Sequence, residues 1–302
     1  MISSLISLYL SSLLTKTPQI SLTQSKSSAY ADVLTAFSVP SSTKSASTST
    51  ATSTPTGAID IQASSYLAMD LRSNRILAEK NTREKRSIGS ITKLMTALII
   101  LDENDINEVV KIPIEATQAP GSRIWLAQGE KITIKDLLYG TLIHSGNDAA
   151  YALAIHNAGS VEKFTAKMNE KAQKLGLTQT HFGNPAGLDV DNNSSTSYDV
   201  SQLGVYAYRN NFIRHAVATA KITIISTNGQ FKHELKSTNN LLEKDPRIKG
   251  LKTGYTIEAG KSFVGIATVK NGSPILTVIL DSPDRFKETE TLVDWVENNF
   301  IW

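Results

Sequence analysis

Residues 87–100 read SIGSITKLMTALII, and Lys93 stands inside a run that is otherwise apolar from Ile91 to Leu101. A segment apolar on nearly every side is a helix sunk in a core. An ammonium group placed there needs a reason, and Ser90, three residues earlier, supplies one. At that spacing the two side chains share one helix face within reach of each other. Serine is a poor nucleophile at its own pKa and requires an adjacent base. Lysine becomes such a base when burial disfavours its charged form. The stretch therefore predicts a core helix over roughly Ser90–Glu103 that carries a nucleophile and its base.

Ser-x-x-Lys alone is weak evidence, since it recurs at Ser41–Lys44 and Ser160–Lys163, where neither lysine has apolar neighbours. Two further motifs strengthen it. IHSGNDAAYALA sets Ser145-Gly146-Asn147 in a turn between two predicted helices, and GLKTGYT (250–256) holds the chain's only Lys-Thr-Gly. Glycine in a strand-like segment marks a close approach to the backbone. The second motif follows Ser90 by 55 residues, and Lys252 follows Ser145 by 107.

Composition sets the frame. The 302 residues, 40% hydrophobic, are enough for one large core or two small ones. A net charge of +3 without a basic stripe gives no case for nucleic acid. The absence of cysteine removes disulfides, thiolate zinc sites and a cysteine nucleophile. The five histidines (144, 156, 181, 215, 233) lack metal-ligand spacing. No cofactor is expected.

Eleven of the fourteen residues from Ser41 to Thr54 are serine or threonine, a composition that forms a spacer rather than a core. Before it, MISSLISLYLSSLLT is too short to span a bilayer and has no basic residue ahead of its apolar stretch. It reads as an atypical export signal, the remnant of an anchor, or an amphipathic surface helix; export or anchoring is favoured. The expected organisation is a hydrophobic segment and spacer over 1–57 and one folded domain over 58–302.

Within that domain, QASSYLAMDLRSNRILAEKN reads as a hairpin turning at Arg72–Asn74. Helices are expected at Ile134–Leu142, Asn147–Asn157, Val161–Leu175, Asp199–Asn210 and Asp284–Asn299. Strand-like runs AKITIIS, FKHEL, KSFVGIATVK and SPILTVIL return late. Strands at both ends with helices between them predict a mixed, three-layer α+β fold, with one antiparallel sheet built from both termini against a helical middle.

The ordered set Ser-x-x-Lys, Ser-x-Asn and Lys-Thr-Gly resembles the D-alanyl-D-alanine carboxypeptidases, the low-molecular-mass penicillin-binding proteins of peptidase family S11. The flanks SIGSITKLMTALI, MNEKAQKLGLTQTHFGNPAGLD and DSPDRFKETETLVDW resemble that family too, so the likeness covers Ala58 to Trp302. It implies a β-lactamase/transpeptidase-like fold, peptidoglycan pentapeptide substrates, β-lactams as covalent inhibitors, and work outside the cytoplasmic membrane. It also implies roles. Ser90 would be the nucleophile, Lys93 its base, and Ser145 a proton relay. Asn147 would bind the substrate amide, and Lys252 and Thr253 its terminal carboxylate. Gly254 would let the peptide lie along the strand. The amides of Ser90 and Tyr255 would form the oxyanion hole, and Arg285 would add a cation. His181, Asn184 and Gly187 would shape a loop. A C-terminal β-domain common in the family is not seen after the last core helix, so attachment is expected from the N-terminal segment. The rival readings are a D,D-endopeptidase, a silent wall-binding module, and a class A β-lactamase, against which stands the lack of a Glu-x-x-Leu-Asn string between Asn147 and Lys252.

Overall fold

A computed structural model describes residues 59–189 and 192–301; the expected N-terminal segment and spacer lie outside the described residues. The chain opens with the hairpin β1 (Ser65–Asp70) and β2 (Ile76–Lys80). A 3₁₀ turn (Gly89–Thr92) then leads into α1 (Lys93–Glu103), followed by β3 (Val109–Lys111), α2 (Ile114–Thr117) and β4 (Lys131–Thr133). The helical middle comprises α3 (Ile134–Leu142), α4 (Asn147–Ala158), α5 (Val161–Lys174), α6 (Ser197–Arg209) and α7 (Asn211–Val217). Strands β5 (Lys221–Ile225), β6 (Lys232–Lys236), β7 (Ile248–Thr256), β8 (Gly260–Thr268) and β9 (Pro274–Ser282) precede the last helix, α8 (Arg285–Asn299).

Five strands form one antiparallel sheet in the order β2-β1-β9-β8-β7, so β1 pairs directly with β9 and joins the two ends of the domain. Period-2 alternation sends successive side chains to opposite faces. In β9, Leu276, Val278 and Leu280 enter the core shared with the helices, whereas Ile275 and Ile279 meet α8. In β1, Leu67 and Met69 join the first core, and Tyr66 and Ala68 the second. The sheet is covered on both faces, which gives the three expected layers. On α8, Leu292, Val293 and Val296 are fully buried, each contributing about 1.5–3 kcal/mol of hydrophobic stabilisation. Asp284, expected as the first residue of this helix, is its N-cap and accepts from the amides of Phe286 and Lys287.

Two expectations need refinement. The runs AKITIIS and FKHEL do form strands, β5 and β6, but they pair only with each other as a separate hairpin. The helix expected from Ser90 starts as a 3₁₀ turn and becomes α-helical only at Lys93. In 3₁₀ geometry the side chains at i and i+3 eclipse, which brings Ser90 and Lys93 into closer line than an α-turn would.

Candidate active site

Helix α1 is buried on every side from Lys93 to Ile100, so the Lys93 side chain cannot reach water. Its Nζ lies 2.8 Å from Ser90 Oγ, 2.6 Å from Asn147 Oδ1 and 2.7 Å from the Ala186 carbonyl oxygen. A carbonyl oxygen can only accept, and Asn147 presents its amide oxygen, so these two take two amine hydrogens. A neutral amine has only two. Its lone pair is then left facing the Ser90 hydroxyl, the arrangement a general base requires. Burial holds the Lys93 pKa well below the ordinary lysine value; the nearby Lys252 charge lowers it further, and Asp148 opposes both.

The Ser-Gly-Asn turn joins α3 to α4. Ser145 sits there at φ +64°, a left-handed conformation costing of order 1–3 kcal/mol in a residue with a Cβ. Glycine would occupy it at less cost, so the backbone alone gives no reason for a serine. Its hydroxyl gives one: Lys252 Nζ donates to Ser145 Oγ at 2.8 Å and to the Thr253 carbonyl at 3.2 Å. Burial, with the Arg285 charge adding to it, lowers the Lys252 pKa to about 7. Asn147 opens α4, donates its side-chain amide to the Pro120 carbonyl and its main-chain amide to Ser122 at 2.7 Å. Asp148, buried beside it, accepts from the amides of Ile124 and Leu126 and so ties the 120–126 loop to this turn.

Lys-Thr-Gly lies on β7, the edge strand, pressed against the 3₁₀ turn. A Cβ on Gly254 would meet the Ile88 carbonyl oxygen at 2.3 Å, and one on Gly89 would meet the Tyr255 amide nitrogen at 3.0 Å. The immediate reason for glycine at 254 is therefore contact between strand and turn, ahead of the expected room for a peptide. Thr253 Oγ1 pairs with Thr238 Oγ1 at 2.6 Å. Arg285 reaches across from the start of α8 and donates to the Gly254 carbonyl at 2.8 Å, its pKa lowered by burial. Tyr255 is exposed at the strand's end.

All nine expected residues thus lie on one turn, two helix starts and one strand edge. Among the described residues no group of three or more histidine, aspartate or glutamate side chains is placed to hold a metal ion. A family model described as D-alanyl-D-alanine carboxypeptidase matches residues 48–284. The chain belongs to the D-alanyl-D-alanine carboxypeptidase family, peptidase family S11. It is 35% identical to the D-alanyl-D-alanine carboxypeptidase DacF of Bacillus subtilis over 70% of its own length and 55% of that protein's. It is 33% identical to the carboxypeptidase DacB2 of Mycobacterium tuberculosis over 80% of its length and 85% of the other's. The fold is similar to that of the Streptomyces K15 DD-transpeptidase, with a TM-score of 0.74, 31% identity, and coverage of 78% of this chain and 97% of that one.

In this family member several supporting residues have no motif of their own. The Asn184 amide oxygen accepts from the main-chain amides of Ala186, Gly187 and Leu188, folding the loop so that the Ala186 carbonyl faces Lys93. Thr96 donates to the neighbouring Pro185 carbonyl at 2.7 Å. Asp189 accepts from Thr256 at 2.6 Å and from Ser87, linking the same loop to the end of β7 and to the approach to Ser90. HFGNPAGL suggested a shaped loop in the sequence; that a main-chain oxygen there would meet Lys93 had no signal.

Gly187 is the tightest point of this packing. It sits at φ +82°, and a Cβ there would lie 1.9 Å from the Gly89 carbonyl oxygen. Gly187→Ala is expected to cost about 2–4 kcal/mol through overpacking and backbone strain, a fall in Tm of roughly 5–15 °C. Thermal denaturation checks this, and an unchanged Tm contradicts the packing described.

Proposed function

We propose that this chain is a serine D-alanyl-D-alanine carboxypeptidase that removes the terminal D-alanine of peptidoglycan stem peptides through an acyl-enzyme on Ser90. The observation that carries the reading is the Lys93 amine, buried 2.8 Å from Ser90 Oγ with its hydrogens engaged by Asn147 and Ala186.

Ser90 Oγ attacks the carbonyl carbon of the penultimate D-alanine as its proton passes to Lys93 Nζ. The oxyanion forms between the amides of Ser90 and Tyr255, where each donor is worth roughly 3–4 kcal/mol of barrier. Ser145, bonded to Lys252, hands a proton to the departing amine, and the C–N bond breaks to release D-alanine. Thr253 and Arg285 hold the terminal carboxylate with a hydroxyl and a cation, and the arriving carboxylate favours the charged form of Lys252, whose pKa stands at about 7 without it. Asn147 binds the substrate amide while orienting Lys93. The proton held by Lys93 returns to Ser145 and Lys252, which leaves the amine neutral again. Water then attacks the acyl carbon and gives a proton to Lys93, and Lys93 passes it to Ser90 Oγ as the ester C–O bond breaks, restoring the serine.

The three acceptors around Lys93 Nζ are a hydroxyl, an amide oxygen and a main-chain carbonyl. None is the carboxylate with which class A β-lactamases drive deacylation. A penicillin adduct should therefore persist. Because stem peptides lie outside the cytoplasmic membrane, the domain over 58–302 is assigned to that side, with residues 1–57 as its tether. No helix among the described residues is long and apolar enough to cross a membrane.

Intact-mass measurement after incubation with benzylpenicillin, together with D-alanine release from a linear pentapeptide, tests the assignment. A lasting adduct with release of D-alanine supports it. Rapid hydrolysis of the drug would make the protein a β-lactamase. Faster cleavage of cross-linked dimers than of pentapeptide would make it an endopeptidase, and no adduct with no cleavage a silent binding module.

A further inference from the structure

The loop that leads from Pro120 to Glu130 does more than support Asn147. Its Trp125 is 71% exposed, an unusual setting for so large an apolar side chain. The backbone around it is pinned on both sides. The Ile124 and Leu126 amides donate to Asp148, and the Ile124 carbonyl accepts from His233 Nδ1 at 2.8 Å. His233 is in turn bonded to the buried Glu130 at 2.7 Å. Trp125 itself is held at φ +65°, a strained conformation that this framework sustains. The Arg123 guanidinium lies over the indole, 4.1 Å from its ring centroid, and is fixed by the Thr117 carbonyl. The indole is thus presented to solvent on a rigid mount.

Beside it runs an open groove of about 390 Å³, lined also by Phe231, Lys232, Glu234 and His144. This size is within the range of small-molecule sites. His144 directly precedes Ser145, so the groove adjoins the Ser-Gly-Asn turn. Its walls combine flat aromatic surface with charged donors and acceptors of both signs, among them the exposed Lys232–Glu234 pair. A pyranose ring has the matching chemistry: apolar C–H faces and a rim of hydroxyls. Neither a polyanion nor a lipid chain suits a groove of mixed charge. In the wall a stem peptide is amide-linked to the lactyl group of an amino sugar, so a sugar stays tethered close to any stem peptide bound at Ser90.

We propose that this groove binds a pyranose of the glycan strand that carries the stem peptide, with Trp125 as its stacking platform. The proposal rests on the carboxypeptidase reading for its choice of ligand. It predicts that the enzyme works better on peptides still attached to sugar.

Trp125→Ala tests it. On the disaccharide-linked pentapeptide the variant's KM should rise roughly 3- to 10-fold, the loss expected for one aromatic contact, while the free pentapeptide and the rate of penicillin acylation stay as in wild type. Independently, a peptide-free GlcNAc–MurNAc oligomer should change the tryptophan fluorescence of the wild type and not of the variant, whose two remaining tryptophans serve as controls. Equal effects on both peptides would mean that Trp125 only shapes the loop, and no effect on either, with no fluorescence change, would mean that the groove binds no sugar; either overturns the proposal. Should the wild type release D-alanine from neither substrate, the carboxypeptidase reading fails, and the oligomer titration still decides whether the groove takes a sugar.

Discussion

Ser90→Ala is expected to yield a folded protein that forms no penicillin adduct and releases D-alanine at least ~10⁴-fold more slowly than wild type. In the proposed mechanism this hydroxyl is the atom that bonds to the substrate, and Ser145, whose Oγ accepts from Lys252, is not paired with Lys93 and does not take its place. Ser90 is only half-buried, and its hydroxyl pairs with Lys93. Removing it should therefore leave stability within about 1 kcal/mol of wild type. Mass spectrometry and a D-alanine assay on one preparation read both effects. Wild-type turnover by Ser90→Ala would remove the acyl-enzyme from the mechanism.

The second large effect is that of Lys93→Met. Loss of a positioned base should slow acylation by about 10²–10⁴-fold. Methionine fills similar space but leaves the Asn147 Oδ1 and Ala186 carbonyl oxygens without their donor, at roughly 1–3 kcal/mol for each buried orphan. Relief from burying an amine offsets part of this, so the fold should persist with a lowered Tm. Lys93→Arg separates charge from basicity. A guanidinium keeps the positive charge but does not deprotonate in a protein. Acylation by Lys93→Arg should be as slow as by Lys93→Met; a rate near wild type would show that a fixed cation suffices at this position.

How much of this was legible in the residues differs from one element to the next. The Ser90–Lys93 pair could be read because an apolar run with one lysine in it is a local anomaly. The order of Ser-x-x-Lys, Ser-x-Asn and Lys-Thr-Gly carried the family resemblance, and it was the resemblance that singled out Ser145, Asn147, Lys252 and Thr253. The sheet shared by both termini could be read from the alternating runs that became β1, β8 and β9. The separate β5–β6 hairpin could not, because alternation shows that a strand exists and not which strand it pairs with. Arg285 could be named only through the family resemblance, since a lone arginine at a helix start carries no signal of its own; the packing of α8 on the sheet is what brings its guanidinium to Gly254. The Ala186 carbonyl was out of reach of any sequence argument. Every residue has a main-chain oxygen, and what aims this one is the Asn184 side chain gathering three amides. Gly254 and Gly187 were visible as glycines, but the carbonyls of Ile88 and Gly89 that require them lie far away along the chain.

In the proposed mechanism Lys93 is uncharged often enough to take the Ser90 proton, and Lys252 helps to keep it so. The pH dependence of penicillin acylation, measured on wild type and on Lys252→Met, tests this most directly. A protonated Lys93 cannot accept a proton, so the rate should rise with pH and level off once the amine is neutral. Burial and the Lys252 charge both lower the Lys93 pKa, which places the wild-type midpoint well below 10.5. Removing the second ammonium takes away one of the two depressing influences, and the rising limb of Lys252→Met should move to higher pH whatever its plateau rate. A wild-type midpoint near 10.5, or a midpoint that stays put in Lys252→Met, would contradict the account.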